Sequence, residues 1–170
     1  MKCAFLDIAS GNSNIVLAGG VEHTGLIRVG VGPGNGIVEV ADLASMPHLL
    51  IAGATGSGKS VCMNAVICCL LFNNAPEDLQ MLMIDPKMVE LVGYNGVPHL
   101  LAPVVTDVEQ VVGSLGWIAR QMDERYKVFH KAGARNLEDY NARVSRRKDT
   151  DPLPVLVVFI DELADMMMVA

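Results

Sequence analysis

Apolar and polar positions change rhythm several times along the chain, and each change predicts an element. Residues 1–36 are Gly-rich and weakly patterned, and 29–36 (VGVGPGNG) read as a loop or hairpin turn. Residues 48–52 (HLLIA) form an apolar run that ends at Gly53 and predicts a buried strand. Residues 60–72 predict a mostly apolar helix, stopped by Asn73, Asn74 and Pro76. Residues 80–84 predict a second buried strand ending at Asp85, and Val104 and Val105 a short third one. A long helix follows, with Thr106 or Asp107 as its cap and Glu109 or Gln110 completing a capping box. Its predicted buried stripe is Val108, Val111, Val112, Leu115, Ala119, Met122, Tyr126 and Phe129. Asp123 and Lys127 are expected to pair on its outer side, and Gly133 to end it. Residues 136–144 predict a short helix, 146–154 a polar loop, 155–160 a buried strand, and 163–169 the start of another helix. Strands alternating with helices imply an α/β fold, three-layered, with a mostly parallel sheet covered on both faces.

Composition narrows the class. The 170 residues suffice for a folded core, and 51% apolar with 19% charged residues suits a globular chain. The net charge of −6 argues against a surface coated in basic residues for nucleic acid, though not against a local patch or a contact assembled from several subunits. The longest apolar stretches, 65–72 and 153–160, fall short of the roughly 20 residues needed to span a bilayer. The start of the chain has no sustained apolar region of the signal-peptide kind, so this segment is expected in the cytoplasm. Cys3, Cys62, Cys68 and Cys69 form no C-x-x-C pair and no zinc spacing; they read as small packing residues in a reducing compartment.

The chemistry concentrates in two places. Gly53, Ala54, Thr55, Gly56, Ser57, Gly58, Lys59 and Ser60 fit G-x-x-x-x-G-K-[ST], between a predicted strand and a predicted helix. Glycines let the backbone curl so that successive N–H groups face phosphate oxygens, and the helix N-terminus adds its positive dipole end. Lys59 is expected to reach the β- and γ-phosphates and the Ser60 hydroxyl to ligate Mg²⁺. With Val61, these residues make up the expected ATP-binding set. By contrast, Gly32 and Gly34 flank Pro33 with no helix following, which reads as a turn.

The second place is the end of the strand 155–160, where Asp161 and Glu162 follow six apolar residues. Asp161 is expected to hold Mg²⁺, directly or through water, and Glu162 to orient the attacking water. An acid after a strand also commonly caps the next helix. The pairing with the phosphate loop favours the catalytic reading, and Glu162 favours a hydrolase over a kinase or nucleotide sensor.

These residues also resemble a known family. PHLLIAGATGSGKSVCMN (47–64) is similar to the Walker A region of the FtsK/SpoIIIE DNA translocases. MIDPKMVEL (83–91), YNGVPHLLAPVVTD (94–107), MDERYKVFHKAGARNLEDYN (122–141) and VVFIDELADMMMVA (157–170) are similar to further blocks of it. The likeness runs from about Val38 to the last residue, so residues 1–36 are left unassigned and 37–170 read as part of an FtsK-like P-loop motor domain. It implies a RecA-like P-loop NTPase that forms a homo-hexamer around double-stranded DNA and pumps it with ATP during chromosome segregation at division or sporulation. No small-molecule substrate beyond ATP is implied. The Walker roles carry onto Gly53, Gly58, Lys59, Ser60, Asp161 and Glu162. Asp85 and Lys87 lie in a family block near the nucleotide crevice, with a supporting role or, alternatively, as a helix cap and a surface lysine.

The resemblance further implies a membrane-anchoring N-terminal region, a strand inserted between the Walker A and Walker B strands, and a winged-helix DNA reader. None is recognised in this sequence, so the chain reads as a piece incomplete at its C-terminus and unstable alone, with the full-length protein anchored in the bacterial membrane. Two alternatives stand beside DNA pumping at division: a related motor for protein secretion or conjugative DNA transfer, and a module that binds nucleotide without turnover. The basic cluster Arg143, Arg146, Arg147 and Lys148 reads as a solvated loop balanced by Asp149 and Asp151 rather than a phosphate contact. Trp117 and His99 read as structural.

Overall fold

The run HLLIA forms strand β5 (His48–Ala52), and its parallel partner is a segment for which the sequence predicted no element, β1 (Cys3–Asp7). The computed structural model describes residues 48–53, 56–146 and 151–167, and before them the backbone of four strands. The chain divides into two units, residues 1–74 and 75–170.

In the first unit, β1 and β5 pair from Cys3 opposite His48 to Asp7 opposite Ala52. A separate antiparallel ribbon joins β2 (Val16–Leu17), β3 (Leu26–Val31) and β4 (Ile37–Asp42). Val31 opposes Ile37, so the pairing agrees with a hairpin at the Gly-rich stretch, whose turn lies outside the described residues. Helix α1 (Lys59–Asn73) runs one residue further at each end than its pattern predicts and buries Cys62, Met63, Val66, Ile67 and Leu70. Burial raises the pKa of the Cys62 thiol, which suits its packing role. At the helix end the amides of Asn73 and Asn74 donate to the carbonyls of Cys69 and Leu70, at 2.7 and 2.8 Å, bracing the last turn.

The second unit is organised around β6 (Leu79–Ile84), where Met81, Met83 and Ile84 have no exposed surface. On one side β6 pairs in parallel with β7 (Val155–Ile160), in register from Leu79 opposite Val155 to Ile84 opposite Ile160. On the other side the stretch 99–105 reaches β6 through isolated bridges at Leu100 and Val105. The predicted third strand is therefore reduced to bridges. Pro103 has no N–H to offer a ladder, and the Val104 N–H turns to the Asn95 side chain at 2.8 Å.

Helix α2 (Val108–Ala132) has Asp107 as its cap, accepting from the Glu109 N–H at 3.0 Å, and ends at Gly133 with φ 66°. The face it buries differs from the predicted stripe. Val112, Met122 and Tyr126 are more than half exposed and Leu115 is exposed as well, while Val111 is buried and Ile118, Arg125 and Phe129 are partly buried. The inward line 111–118–125–129 shares Val111 and Phe129 with the predicted stripe and is centred roughly 60° of helix away from it. One interaction favours it: Arg125 donates to the Pro154 carbonyl at 2.7 Å. The Phe129 ring, common to both lines, meets Tyr140 with centroids 5.4 Å apart. Partial burial holds the Arg125 guanidinium below its usual pKa. Among the described residues no ion pair joins Asp123 to Lys127; Gln121 bonds Glu124 instead.

Helix α3 (Leu137–Val144) is capped by Asn136, which accepts from Asp139 N–H at 2.8 Å, and α4 (Leu163–Met167) follows β7. Val111 joins Leu82, Ile84 and Val105 in a core completed by Ile118, Val158, Ile160 and Met166. No helix of the described residues is long and apolar enough to cross a membrane.

Candidate functional site

The Gly-rich loop connects β5 to α1 in the first unit. Gly53 is exposed beyond the strand, and Ala54 and Thr55 lie outside the described residues. Gly56 and Gly58 have φ of 81° and 96°, a region that side chains disfavour, so the loop needs glycine at both. The hydroxyl of Ser57 between them is buried and meets no hydrogen-bond partner. Lys59 and Ser60 are the first residues of α1, and the Gly58 carbonyl accepts the first helical rung from Cys62 N–H at 2.8 Å. No side chain caps this end of the helix. Asn64 donates to the Ser60 carbonyl at 3.0 Å, and Val61 points outward at 63% exposure.

A helix start with no side-chain cap, two left-handed glycines and a buried hydroxyl without a partner gather donors in one short stretch. Its chemistry fits an anion with several oxygens, as a triphosphate has. The first-turn N–H groups of any helix have no partner within it and carry the positive end of the dipole.

The acidic strand end belongs to the second unit. The Asp161 N–H donates to the Ile84 carbonyl at 3.1 Å, the last bond of the β6–β7 ladder. Asp161 and Glu162 are half-buried, and α4 begins at the next residue. Opposite them, at the end of β6, Asp85 is completely buried. Its Oδ2 accepts from the N–H groups of Glu90 and Leu91, at 3.0 and 2.9 Å, and its carbonyl accepts from Met88 N–H at 3.1 Å. Asp85 thus folds residues 85–91 back on themselves, with Met88 at φ 57°.

Lys87 projects from this turn, and its Nζ lies 2.9 Å from Asp165 Oδ2 in the first turn of α4. The hydrogen bond that the lysine donates to Asp165 holds it above its ordinary pKa against a smaller effect of desolvation, and the charges of Asp165, Glu162 and Asp161 add to it. The sequence allows Lys87 a supporting role or a plain surface position, and its partner Asp165 lies far along the chain. The one available signal was the acidic spacing of Asp161, Glu162 and Asp165.

Among the described residues no group of three or more His, Cys, Asp or Glu could hold a metal ion. Arg143 pairs with Asp139 at 2.8 Å, and Arg147, Lys148 and Asp149 lie outside the described residues. The His99 carbonyl accepts from Met81 N–H at 2.8 Å beside β6, and Trp117 is partly buried on α2.

Comparison with known proteins adds an independent line. The model of the FtsK/SpoIIIE family matches residues 22–170. The DNA translocase FtsK of Clostridium tetani is 54% identical over 130 residues, covering 76% of this chain and 18% of that protein. The DNA translocase SpoIIIE of Bacillus subtilis is 50% identical over 141 residues, covering 80% of this chain and 18% of that protein. The DNA translocase SftA of Bacillus subtilis is 50% identical over 131 residues, covering 77% and 14%. The chain therefore spans under a fifth of the length of these relatives. Among solved structures, the pCW3 conjugation coupling protein TcpA, in its monomer form with ATPγS, superposes with a TM-score of 0.65 at 28% identity, over 87% of this chain and 38% of that one.

Proposed function

Because the chain belongs to the FtsK/SpoIIIE family and has a RecA-like α/β fold, we propose that it is the ATP-binding and hydrolysing part of a double-stranded DNA translocase. The observation that carries the reading is the β5–α1 loop, with its left-handed Gly56 and Gly58 and the buried Ser57 hydroxyl.

On this reading the N–H groups at the start of α1 and the Ser57 hydroxyl bind phosphate oxygens. Lys59 neutralises charge on the β- and γ-phosphates. Ser60 and Asp161 are the protein oxygens for Mg²⁺, and Glu162 orients a water for in-line attack. Bound Mg·ATP supplies the phosphoanhydride bond whose hydrolysis drives movement. The protein's share is positioning and charge stabilisation, since phosphoryl transfer asks little covalent chemistry of side chains.

The net charge of −6 means that DNA is met by a local surface or by several subunits together. A homo-hexamer around the duplex meets that requirement, and we extend the proposal to it. Membrane anchorage would be supplied by a longer protein containing this segment. The test is hydrolysis with and without duplex DNA: stimulation that weakens steeply with salt is expected, because phosphate contacts release counterions. No stimulation at low salt would remove DNA as the substrate. A second reading, transfer of DNA in conjugation, draws on the likeness to TcpA. The identity of about half to the translocases, against 28% to TcpA, favours the first.

A further inference from the structure

Asp161, Glu162 and Asp165 bring three carboxylates into five consecutive residues, across the point where β7 gives way to α4. Like charges so close repel, and the direction of Glu162 depends on where α4 starts. The adjacent strand supplies a countercharge. Asp85, fully buried, closes the turn 85–91 through the N–H groups of Glu90 and Leu91, and Pro86 fixes the backbone between Asp85 and Lys87. From that braced turn Lys87 reaches Asp165 at 2.9 Å.

We propose that Lys87 is a positioning residue: by tying Asp165 to the turn after β6, it fixes the start of α4 and with it the direction in which the Asp161–Glu162 pair projects. This rests on the ATPase reading above and deepens it. The pair is half-open to solvent, with side-chain exposures of 54% and 30%, so its worth as a stabilising salt bridge is small. Its worth as a geometric constraint is larger, because a misplacement of about 1 Å in a reacting constellation can cost about 10²-fold in rate. Asp85 supports it by holding the turn.

The test is the affinity of the chain for the fluorescent nucleotide MANT-ATP, measured with Mg²⁺ and with EDTA. Wild type is expected to bind more tightly with Mg²⁺. Lys87→Met should leave the EDTA affinity unchanged and reduce the Mg²⁺ gain about tenfold. Lys87→Arg should retain the gain. The charge swap provides a further control: Lys87→Asp and Asp165→Lys should each lose the gain, and the double variant should recover it. Thermal melts of all variants should stay close to wild type.

A purely electrostatic role has the opposite sign, since removing a cation beside acidic metal ligands strengthens Mg²⁺ binding. A larger Mg²⁺ gain in Lys87→Met, an unchanged one, or no recovery in the double variant would overturn the inference and leave the ATPase reading standing. A wild-type chain that binds no MANT-ATP would remove that reading, and this inference with it.

Discussion

The side-chain amide of Asn141 pairs with both backbone groups of Leu153: its Nδ2 donates to the carbonyl at 2.8 Å and its Oδ1 accepts from the N–H at 2.9 Å. Asn141 lies on α3 and Leu153 just before β7, so one side chain imitates a ladder rung and guides the chain into the strand that ends at Asp161. Arg125 holds the next carbonyl, that of Pro154, from α2.

Asn141→Ala should therefore destabilise the fold by about 1–3 kcal/mol, the cost of two lost hydrogen bonds at a partly buried site. Urea unfolding followed by circular dichroism measures it. A shift below about 0.5 kcal/mol would place the variant among ordinary surface substitutions and show that water replaces the amide.

Lys59→Ala should weaken ATP binding by about 10–100-fold, the worth of a charge-assisted contact to phosphate. Isothermal titration reads this directly. Wild-type affinity in the variant would refute the phosphate-loop assignment.

Glu162→Gln should bind ATP as wild type does and turn it over about 10²-fold more slowly, since the amide keeps the shape of the carboxylate but is a far poorer base and water-orienting group. Single-turnover hydrolysis separates this from a binding defect. Normal turnover would move the water-positioning role to another residue.

Asp139 accepts from Arg143 at 2.8 and 3.1 Å and from the Arg135 N–H at 3.0 Å. Hydrogen bonding by Arg143 first, then by the Arg135 N–H, holds its carboxyl below the usual aspartate range. A carboxyl depressed on folding stabilises above its unfolded pKa, and that stability is lost as the pH falls through the folded value. Acid should thus weaken the α3 region from the ordinary aspartate range downward. Asp139→Asn should flatten the pH dependence of stability in that window and leave neutral-to-alkaline behaviour nearly unchanged. Equal slopes in the two proteins would show that other carboxyls govern acid unfolding.

What the sequence discloses follows from how local each signal is. Strands β5, β6 and β7 and helix α1 agree with their predicted bounds to within one residue, because each is a dense apolar run with a turn or breaker at its ends. The strands before residue 43 lie in a segment punctuated by glycines, and β1 is defined by its register with β5, Cys3 opposite His48, rather than by any periodicity of its own. The face of α2 was misread because the helix is apolar along two neighbouring lines. Choosing between them requires Pro154, which lies outside the helix. The site divides in the same way. The order of residues announces the phosphate loop, whereas the Lys87–Asp165 contact joins positions that nothing in the linear pattern connects.

The matched register of β6 and β7 carries a consequence for how this region can vary. Side chains alternate along a strand, so sliding β7 by one residue against β6 would turn each carboxylate toward the opposite surface. Substitutions within 155–160 that keep apolar bulk should be absorbed. Inserting or deleting a single residue there should silence the carboxylate pair even where the domain still folds, so the count of residues in β7 is constrained more tightly than their identity.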